Sequence, residues 1–258
     1  VSVSSALANF EWRDRKINII DTPGLFDFEG GRAEGLRAAE SVIVVLSCGH
    51  NVDVGAEKTL RAAGRKGISK FIAVTKCDGE DRDFFKTLNS LKDKYGTAIC
   101  PVVIPYVVGG KVECYVNFLQ NKAFKYDNGK ATQVDMPSDA LIDDIHAAFT
   151  EAVASADDEL MMKFFDGEEF THDEIVAGLS QGVLDGTVIP VYACSGLTTD
   201  AVDLIMNGIT KLAPAPKGEG DLECDPNGPL AAICFKTVAD PFIGKMSFFK
   251  VVSGKITA

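Results

Sequence analysis

Three short apolar runs of strand length constrain the fold of this chain more than any other feature. They are Val42–Ser47, Phe71–Thr75 and Val188–Ala193, and each is dominated by β-branched and other apolar residues. Runs of this kind are typical of strands buried on both faces, as in parallel sheets whose crossovers are helices. A segment with helical spacing follows each run, at 56–66, 83–95 and 201–212. The sequence therefore predicts an α/β protein built around a mostly parallel sheet.

The two ends of the chain carry antiparallel patterns instead. Residues 1–12 and 17–20 predict the two strands of a hairpin, with a turn between them. Residues 214–228 are rich in Pro and Gly, which is typical of a linker. Beyond the linker, residues 230–235 and 246–252 predict two further strands. We therefore expect a second domain to begin at residues 229–258.

Composition narrows the class of protein. Asp and Glu total 37 against 26 Lys and Arg, a net charge of −11, so the body of the chain should repel nucleic acid and we expect no DNA partner. The seven cysteines form no Cys-x-x-Cys pair, which indicates reduced thiols rather than a disulfide framework or a zinc site. No apolar run reaches the ~18 residues needed to cross a bilayer. These features predict a cytoplasmic protein with no membrane partner, and we expect it to be a monomer.

The segment Asn18–Gly24, with the sequence NIIDTPG, is the first that indicates chemistry. Asp21 ends a predicted strand, and the following Pro-Gly turn places its carboxylate beside the mobile N–H of Gly24. Phosphate and magnesium sites are commonly built in this way at the carboxyl edge of a sheet. The motif itself, DTPG at residues 21–24, is only four residues long, however. An ordinary turn that caps a strand is the alternative.

Two further motifs follow the other predicted buried strands. After the second run come Thr75, Lys76 and Asp78, whose carboxylate can accept from both the N1–H and the exocyclic amine of guanine, while the Lys stem lies along the base. Adenine offers no such pair of donors, so this site would reject it. After the third run come Ser195 and Gly196, where a backbone N–H can meet the guanine carbonyl oxygen. Cys77, inside the first of these motifs, is interpreted as a small filler rather than a reactive thiol.

The order of the three motifs strengthens each of them. Asp21, Lys76 and Ser195 occur in the order that guanine-nucleotide-binding GTPases use. The 119 residues between Lys76 and Ser195 are far more than one helix and one strand require. We interpret the excess, residues 98–185, as an inserted α+β subdomain between 1–97 and 186–213. Its acidic clusters at 157–159 and 166–169 suggest either a metal site or, as the commoner case, solvated helix ends.

At these residues the chain resembles the translational GTPases, and among them elongation factor G and its elongation-factor-G-like paralogues. The resemblance extends over essentially the whole chain, and its further segments are Asp27–Phe28, Gly109–Lys111, Ala123–Tyr126, Glu159–Phe164, Gly167–Glu169, Asp240–Gly244, Phe248–Phe249 and Ser253–Gly254. It implies a Ras-like P-loop GTPase domain with three layers and an inserted subdomain, followed by the start of a β-barrel domain.

The resemblance also implies roles for individual residues. Asp21 would hold Mg²⁺ through water and the Gly24 N–H would sense the γ-phosphate of GTP. Guanine would be read by Thr75, Lys76, Asp78, Ser195 and Gly196. Ser2 falls where the family has a Thr that coordinates Mg²⁺, although a strand hydroxyl facing solvent is the alternative. The implied ligands are GTP or GDP with Mg²⁺, and the implied partner is the ribosome with its rRNA and proteins.

Three departures from the family pattern affect these expectations. No GxxxxGK[ST] phosphate loop occurs in the chain, and in the family that loop follows a strand lying between those of 17–20 and 42–47. We therefore expect the natural protein to continue upstream, or another segment to fill the slot. Leu25 stands where the family usually has the His that orients the attacking water, so hydrolysis should be slow or use another group, unless Leu25 packs into a hydrophobic gate. The base motif is TKCD rather than Asn-Lys-x-Asp, which keeps Lys76 and Asp78.

Two functions from different classes follow. The first is the GTP-binding region of an elongation-factor-G-like GTPase that hydrolyses GTP and acts on the ribosome during elongation. The second is a non-hydrolysing ribosome- or factor-binding module that keeps the fold. Acyl transfer by Ser195 and zinc hydrolysis are both disfavoured, because the three histidines, at 50, 146 and 172, have no HExxH spacing and no GxSxG motif occurs.

Overall fold

In a computed structural model, which describes residues 2–79, 82–219 and 222–257, the chain forms two compact units. The smaller unit comprises Val1–Glu40 and Pro214–Ala258, and the larger unit comprises Ser41–Ala213. Val1 of the predicted first strand, positions 220–221 of the predicted linker and Ala258 of the predicted second domain lie outside the described residues.

The smaller unit begins with the predicted hairpin. Strands β1 (Ala6–Trp12) and β2 (Arg15–Asp21) pair antiparallel, which confirms that prediction. Arg13 and Asp14 form the turn, with φ angles of 48° and 60°. Two central residues with positive φ are typical of the type I′ turn, whose twist matches that of the flanking strands.

A helix for which the sequence shows no clear pattern follows the hairpin. After a single 3-10 turn at Phe26–Phe28, helix α1 runs over Glu29–Ala38. It contains three glycines, which weaken helix propensity and blur the hydrophobic periodicity. Its conformation therefore depends on packing, and Gly31 and Gly35 both lie against the segment that follows β2.

The larger unit is built on one seven-stranded sheet, in the order β3-β4-β9-β5-β6-β7-β8. Its strands are β3 (Ser41–Ser47), β4 (Ser69–Thr75), β5 (Ile99–Val108), β6 (Lys111–Asn117), β7 (Lys122–Asp127), β8 (Lys130–Val134) and β9 (Ile189–Ala193). Its helices are α2 (Val54–Arg65), α3 (Phe84–Tyr95), α4 (Ala140–Ala154), α5 (Asp158–Asp166), α6 (His172–Asp185) and α7 (Val202–Leu212).

The three apolar runs are strands of this sheet, as predicted. Strands β3, β4, β9 and β5 pair parallel, and all five residues of β9 are buried. The predicted helices 56–66, 83–95 and 201–212 correspond to α2, α3 and α7. The α/β architecture is thus confirmed.

The predicted insertion does not form a separate sheet. Strand β5 pairs parallel with β9 on one side and antiparallel with β6 on the other, so β6, β7 and β8 extend the same sheet. The sheet is therefore mixed, with its parallel part at one end. The acidic cluster beginning at Asp157 is a helix end, because the Asp157 carboxylate accepts from the N–H groups of Glu159 and Leu160 at the start of α5.

One edge of the large sheet is open within the described residues. Strand β3 pairs only with β4, and its Ile43 and Val45 side chains are 39% and 63% exposed. In the smaller unit, β2 pairs only with β1. Each of the two strands that the family would place beside its phosphate-loop strand thus has one edge without a strand partner in the part of the chain that is described.

The carboxyl-terminal part of the smaller unit is a pair of hairpins. Short strands β10 (Gly218–Glu219) and β11 (Leu222–Glu223) pair within the predicted linker. Strands β12 (Ala231–Asp240) and β13 (Gly244–Ser253) confirm the two predicted strands and are longer than predicted. The β-barrel to which they would contribute stays a prediction. Among the described residues, no helix has the length and apolar character that a bilayer crossing requires.

Candidate functional site

Two of the three motifs lie side by side in the larger unit. Thr75 ends β4, Ser195 follows β9 by two residues, and the two strands pair parallel with Val74 opposite Ala193. Parallel neighbours leave a sheet at the same edge, so the two loops emerge together. The structure therefore brings Thr75, Lys76 and Asp78 next to Ser195 and Gly196, as the sequence predicted for a guanine-reading site.

Hydrogen bonds join these two loops. The Cys194 N–H donates to the Val74 carbonyl at 2.9 Å, and the Cys77 N–H donates to the Cys194 carbonyl at 3.3 Å. The Gly196 N–H donates to the Thr75 hydroxyl oxygen at 3.2 Å. Thr75 thus connects the first loop to the second through its side chain, and the pair of loops has a defined relative position.

Lys76 and Asp78 present the ionised groups of the site. Both residues are exposed, and Lys76 has a φ of 65°, a left-handed conformation uncommon for a residue with a side chain. Such backbone conformations persist where the surroundings hold them, and they concentrate at binding sites. The exposed carboxylate and ammonium are available to a ligand at the edge of the sheet.

Cys77 lies between them and is buried, with 3% of its surface exposed. Its thiol donates to the Val74 carbonyl at 3.2 Å. A hydrogen bond with Cys48 and burial raise the pKa of Cys77 far above its ordinary value, so the thiol stays neutral and unreactive. The interpretation of Cys77 as a filler is confirmed. All seven cysteines lie among the described residues, and none of them is in a disulfide.

Ser195 is buried beneath its loop and forms hydrogen bonds within it. It is fully buried; its N–H donates to the Asp200 carbonyl at 3.0 Å, and its hydroxyl accepts from the Thr198 N–H at 3.2 Å. A buried hydroxyl of this kind does not act as an exposed nucleophile, which agrees with setting acyl transfer aside. The surface of the loop is formed by Gly196 and Leu197, the latter 88% exposed.

The third motif lies in the smaller unit and places Asp21 beside Ser2. The hairpin register sets Ala6 opposite Asp21, and the Ser2 hydroxyl lies 3.5 Å from the Asp21 carboxylate. This distance is long for a hydrogen bond, so the two oxygens are neighbours rather than a tight pair. A carboxylate and a hydroxyl are hard oxygen ligands of the kind that suit Mg²⁺, which keeps several waters and needs few protein ligands. The residues therefore fit the implied ion.

The backbone after Asp21 is held by close packing of helix α1. A Cβ atom on Gly31 would lie 2.8 Å from the Pro23 Cδ atom, and one on Gly35 would lie 2.6 Å from the Thr22 Cγ2 atom. Only glycine permits this approach. Pro23 is buried as a result, while Gly24 beyond it is exposed and a Cβ there would meet nothing within 4 Å.

Leu25 is half exposed, with 52% of its surface accessible in the structure. Its carbonyl accepts from the Phe28 N–H at 3.1 Å and so begins the 3-10 turn. Within its unit the Leu25 side chain is not enclosed by a hydrophobic gate. An aliphatic side chain can neither donate nor accept a hydrogen bond, so Leu25 cannot orient a water molecule.

A buried lysine supports the segment around Ser2. Lys236, on β12, is 9% exposed, and its ammonium donates to the hydroxyls of Ser4 and Ser5 at 2.9 and 3.0 Å and to the Ser5 carbonyl. Sequence reasoning missed this contact, because more than 230 residues separate its partners and one lysine on an alternating strand carries no signal of burial.

Sequence reasoning also missed the residues of the predicted insertion that lie near Asp78 and the loop after Ser195. A cavity of about 260 Å³ is lined by Asp78, Asp200, Tyr115, Tyr126, Lys111 and Lys125, among others. The Tyr115 hydroxyl and one Asp200 carboxylate oxygen are buried without a hydrogen-bond partner among the described residues. The Tyr126 hydroxyl donates to the Asp203 carboxylate at 2.5 Å. Tyr126 is part of the resembling segment AFKY, but nothing in the sequence pairs it with a residue 77 positions away.

The histidines considered for other chemistries have packing or surface roles. The His146 ring lies 5.8 Å from that of Phe118 and 6.4 Å from that of Phe149, and His172 is the first residue of α6. Within the described ranges, no group of three or more His, Cys, Asp or Glu side chains has the geometry of a metal site.

Comparisons with known proteins agree with this geometry. The family described as "Elongation factor Tu GTP binding domain" matches residues 1–215. Over 265 residues the chain is 30% identical to an elongation factor G-like protein of Thermotoga maritima, covering 98% of this chain and 38% of that protein. A crystal structure of a Thermus thermophilus protein matches with a TM-score of 0.85 and 28% identity, over 98% of this chain and 37% of the other.

The chain spans about two fifths of the length of these relatives. The family match covers more than half of the chain, from the hairpin through the insertion to the end of α7. It confirms the α/β GTPase fold that the order of the motifs predicts. The chain therefore belongs to the translational GTPase family and carries a GTP-binding domain of the elongation factor Tu type.

Proposed function

We propose that this protein binds and hydrolyses GTP with the help of Mg²⁺ and acts on the ribosome during translation elongation. The observation that carries the proposal is the joined pair of loops at the carboxyl ends of β4 and β9. They place an exposed carboxylate, Asp78, beside the loop that contains Gly196, with Thr75 hydrogen-bonded between them.

The chemistry of guanine suits these groups. The Asp78 carboxylate accepts from the N1–H and the 2-amino group, the aliphatic stem of Lys76 lies along the ring, and a backbone N–H of the loop that begins at Ser195 and Gly196 donates to O6. Adenine has an amine at C6 and no proton on N1, so it would leave the carboxylate without its donors. A site that recognises its ligand by polar groups rejects such an analogue strongly.

For the phosphates and Mg²⁺, we propose roles for residues of the smaller unit. Asp21 would hold Mg²⁺ through water, the Ser2 hydroxyl would coordinate the ion, and the Gly24 N–H would donate to the γ-phosphate. When bound, Mg²⁺ neutralises the charge that develops on the β- and γ-phosphates during transfer to water. Leu25 offers no hydrogen bond to the attacking water, so we propose that intrinsic hydrolysis is slow or depends on a group that the ribosome supplies.

A non-hydrolysing interaction module is the second candidate function. It is favoured by Leu25, which is half exposed and whose side chain has no hydrogen-bonding group, at the position where the family usually has His. In that case the fold would serve ribosome or factor binding. Lys76 and Asp78 oppose it, because a module that no longer reads guanine has no need of their exposed charges beside Gly196.

Calorimetric titration of GDP, GTP and ADP into the full-length protein and into this chain tests the proposal. We expect GDP and GTP to bind to the full-length protein and ADP to show no binding. The Asp78→Asn variant presents an amide that donates to the carbonyl at C2 of xanthine, so it should lose about 1,000-fold in affinity for GDP and gain affinity for xanthosine diphosphate.

The controls separate recognition from unfolding. Circular dichroism must show that both proteins and the variant are folded before titration. Equal binding of GDP and ADP would contradict the assignment of Asp78, and a folded full-length protein that binds no guanine nucleotide would favour the interaction module. Phosphate release with and without ribosomes then distinguishes hydrolysis from binding alone.

A further inference from the structure

We propose that Tyr126, in the insertion, is a positioning residue for guanine recognition. It holds the segment Ser195–Ala201, here named the O6 loop, through a hydrogen bond to Asp203 at the start of α7. The inference rests on the proposed function, since the O6 loop is the segment that would donate a backbone N–H to the guanine carbonyl oxygen.

The hydrogen bond joins the insertion to the end of the O6 loop. The Tyr126 hydroxyl, at the end of β7, donates to the Asp203 carboxylate at 2.5 Å, and Asp203 is the second residue of α7. Because α7 begins one residue after Ala201, this contact fixes the point at which the loop enters the helix. The Tyr126 ring is itself held edge to face against Tyr115, with a centroid distance of 5.6 Å.

A second contact lies three residues after Tyr126, in the turn that follows β7. The turn between β7 and β8 contains Gly129, and a Cβ atom there would lie 2.4 Å from the Thr199 hydroxyl and 3.3 Å from the Thr198 carbonyl. The backbone of this turn therefore rests directly on the middle of the O6 loop. The insertion supports the loop at two points, its middle and its end.

The O6 loop has a backbone that needs such support. Thr199 and Ala201 have φ angles of 63° and 59°, which are unfavourable for residues with a side chain. Strained conformations of this kind persist only where the surrounding structure holds them. The loop's own bonds, from the Ser195 N–H to the Asp200 carbonyl and from the Thr198 N–H to the Ser195 hydroxyl, close it upon itself. The insertion's contacts at Thr198, Thr199 and Asp203 join it to β7 and its turn.

The chemistry of the base separates this role from a general effect on stability. Asp78 reads N1–H and the 2-amino group, whereas the O6 loop reads the carbonyl oxygen. Loosening the loop should therefore weaken recognition of O6 and leave recognition of the 2-amino group unchanged. A variant that is merely less stable would weaken the binding of all guanine analogues by the same factor.

The test compares three nucleotides in the full-length protein and its Tyr126→Phe variant. GDP carries both groups, inosine diphosphate lacks only the 2-amino group, and 6-thio-GDP has sulfur, a weak acceptor, in place of O6. We expect Tyr126→Phe to weaken GDP and inosine diphosphate equally, by roughly 3- to 10-fold, as for loss of one hydrogen bond. The affinity for 6-thio-GDP should change less, so the preference for GDP over 6-thio-GDP narrows.

Tyr106→Phe is the matched control. The Tyr106 hydroxyl donates to the Asp139 carboxylate at 2.9 Å, a bond of the same type in the same unit, at the start of α4. Tyr106→Phe should leave the preference for GDP over inosine diphosphate and the preference for GDP over 6-thio-GDP as they are in the unmodified protein. If Tyr126→Phe behaves like Tyr106→Phe, the positioning role is overturned.

A second pair of variants tests the contact at the turn. Gly129→Ala places a methyl group against Thr199, whereas Gly110→Ala imposes similar backbone strain, with φ of 79° against 76°, and meets nothing within 4 Å. Only Gly129→Ala should narrow the preference for GDP over 6-thio-GDP. Equal behaviour of the two variants would overturn the contact's role.

Amide hydrogen exchange keeps the inference separate from the proposed function. If the unmodified protein binds no guanine nucleotide, the proposed function fails, and exchange in this chain decides the positioning role alone. Tyr126→Phe should then speed exchange at the Ser195 and Thr198 amides several-fold relative to Tyr106→Phe. Unchanged exchange at both amides would overturn the inference.

Discussion

The two loops at residues 75–78 and 195–201, which we propose read the guanine base and here call the base-reading loops, are held in the fold differently from the segment after Asp21. The base-reading loops follow two paired strands and are joined by the Gly196–Thr75 hydrogen bond, with Cys77 and Ser195 buried beneath them. The segment after Asp21 leaves a strand of a two-stranded hairpin, and helix α1 packs on Thr22 and Pro23. Beyond Pro23 the next four residues are exposed.

This difference matches the two tasks that a GTPase would give these regions. A guanine base is the same before and after hydrolysis, so the groups that read it benefit from a fixed geometry. A segment that senses the γ-phosphate has to change when the phosphate leaves, and moving elements are drawn from the less stable parts of a fold. We call the region formed by the base-reading loops the base edge, and the segment that follows Asp21 the phosphate segment. Three variants test the contrast between a base edge of fixed geometry and a phosphate segment that can change its conformation.

The largest effect should come from Leu25→His, which gives the exposed segment a group able to orient water. In the full-length protein with ribosomes we expect the turnover of GTP to rise by about 100-fold, the lower end of what a positioned acid–base group contributes. The affinity for GDP should stay unchanged, because the base-reading loops are untouched. Phosphate release and GDP titration measure the two effects.

Leu25→Met is the control, because it preserves an apolar side chain of similar size without a hydrogen-bonding ring. No rise in ribosome-stimulated turnover with Leu25→His would show that another group already orients the water. A rise with both variants would instead show that leucine blocks the site sterically.

A smaller effect is expected where helix α1 holds Pro23. Gly31→Ala brings a methyl group to 2.8 Å from the rigid Pro23 ring, and overpacking of this kind costs about 1–3 kcal/mol of the free energy of unfolding. Gly30→Ala is the matched control, since a Cβ there meets nothing within 4 Å and should stabilise the helix by up to about 1 kcal/mol.

Urea unfolding followed by the fluorescence of Trp12 measures both glycine variants, because the only tryptophan of the chain lies in the same unit. If Gly31→Ala unfolds at the same urea concentration as Gly30→Ala, the helix is not what holds Pro23. The phosphate segment would then be looser than the structure indicates, which would sharpen the contrast with the base edge.

The sheet and the order of the motifs could be predicted from the sequence, because both depend on local patterns of residues. Buried strands such as β9 are continuous apolar runs, and the residues that follow them are short and recognisable. Helix α1 was not predicted, since its glycines serve contacts with Thr22 and Pro23 and so erase the periodicity that would mark a helix. Its existence is decided by packing, which a local pattern does not record.

The supporting contacts of the site were beyond the sequence for a related reason. Tyr126 and Asp203 are 77 residues apart, and Lys236 is buried against Ser4 and Ser5 from the other end of the chain. No local sequence pattern distinguishes these residues from others on the same elements, because only the fold brings each of them to its partner. The site residues named from the motifs are those that would touch the ligand, whereas the residues that hold them are visible only in three dimensions.

The smallest effect should come from Thr75→Val, which removes the hydroxyl that accepts the Gly196 N–H and preserves the shape of the side chain. Loss of one such bond is worth about 1 kcal/mol, so we expect roughly a fivefold weaker affinity for GDP in the full-length protein. Thr75→Ser retains the acceptor and should bind as the unmodified protein does, and calorimetric titration of both variants measures the difference. Turnover per bound GTP should be unchanged, because the phosphate segment is not altered. If Thr75→Val binds GDP as tightly as Thr75→Ser, the base edge does not owe its geometry to this bond, and the contrast between the two regions is weaker than their contacts suggest.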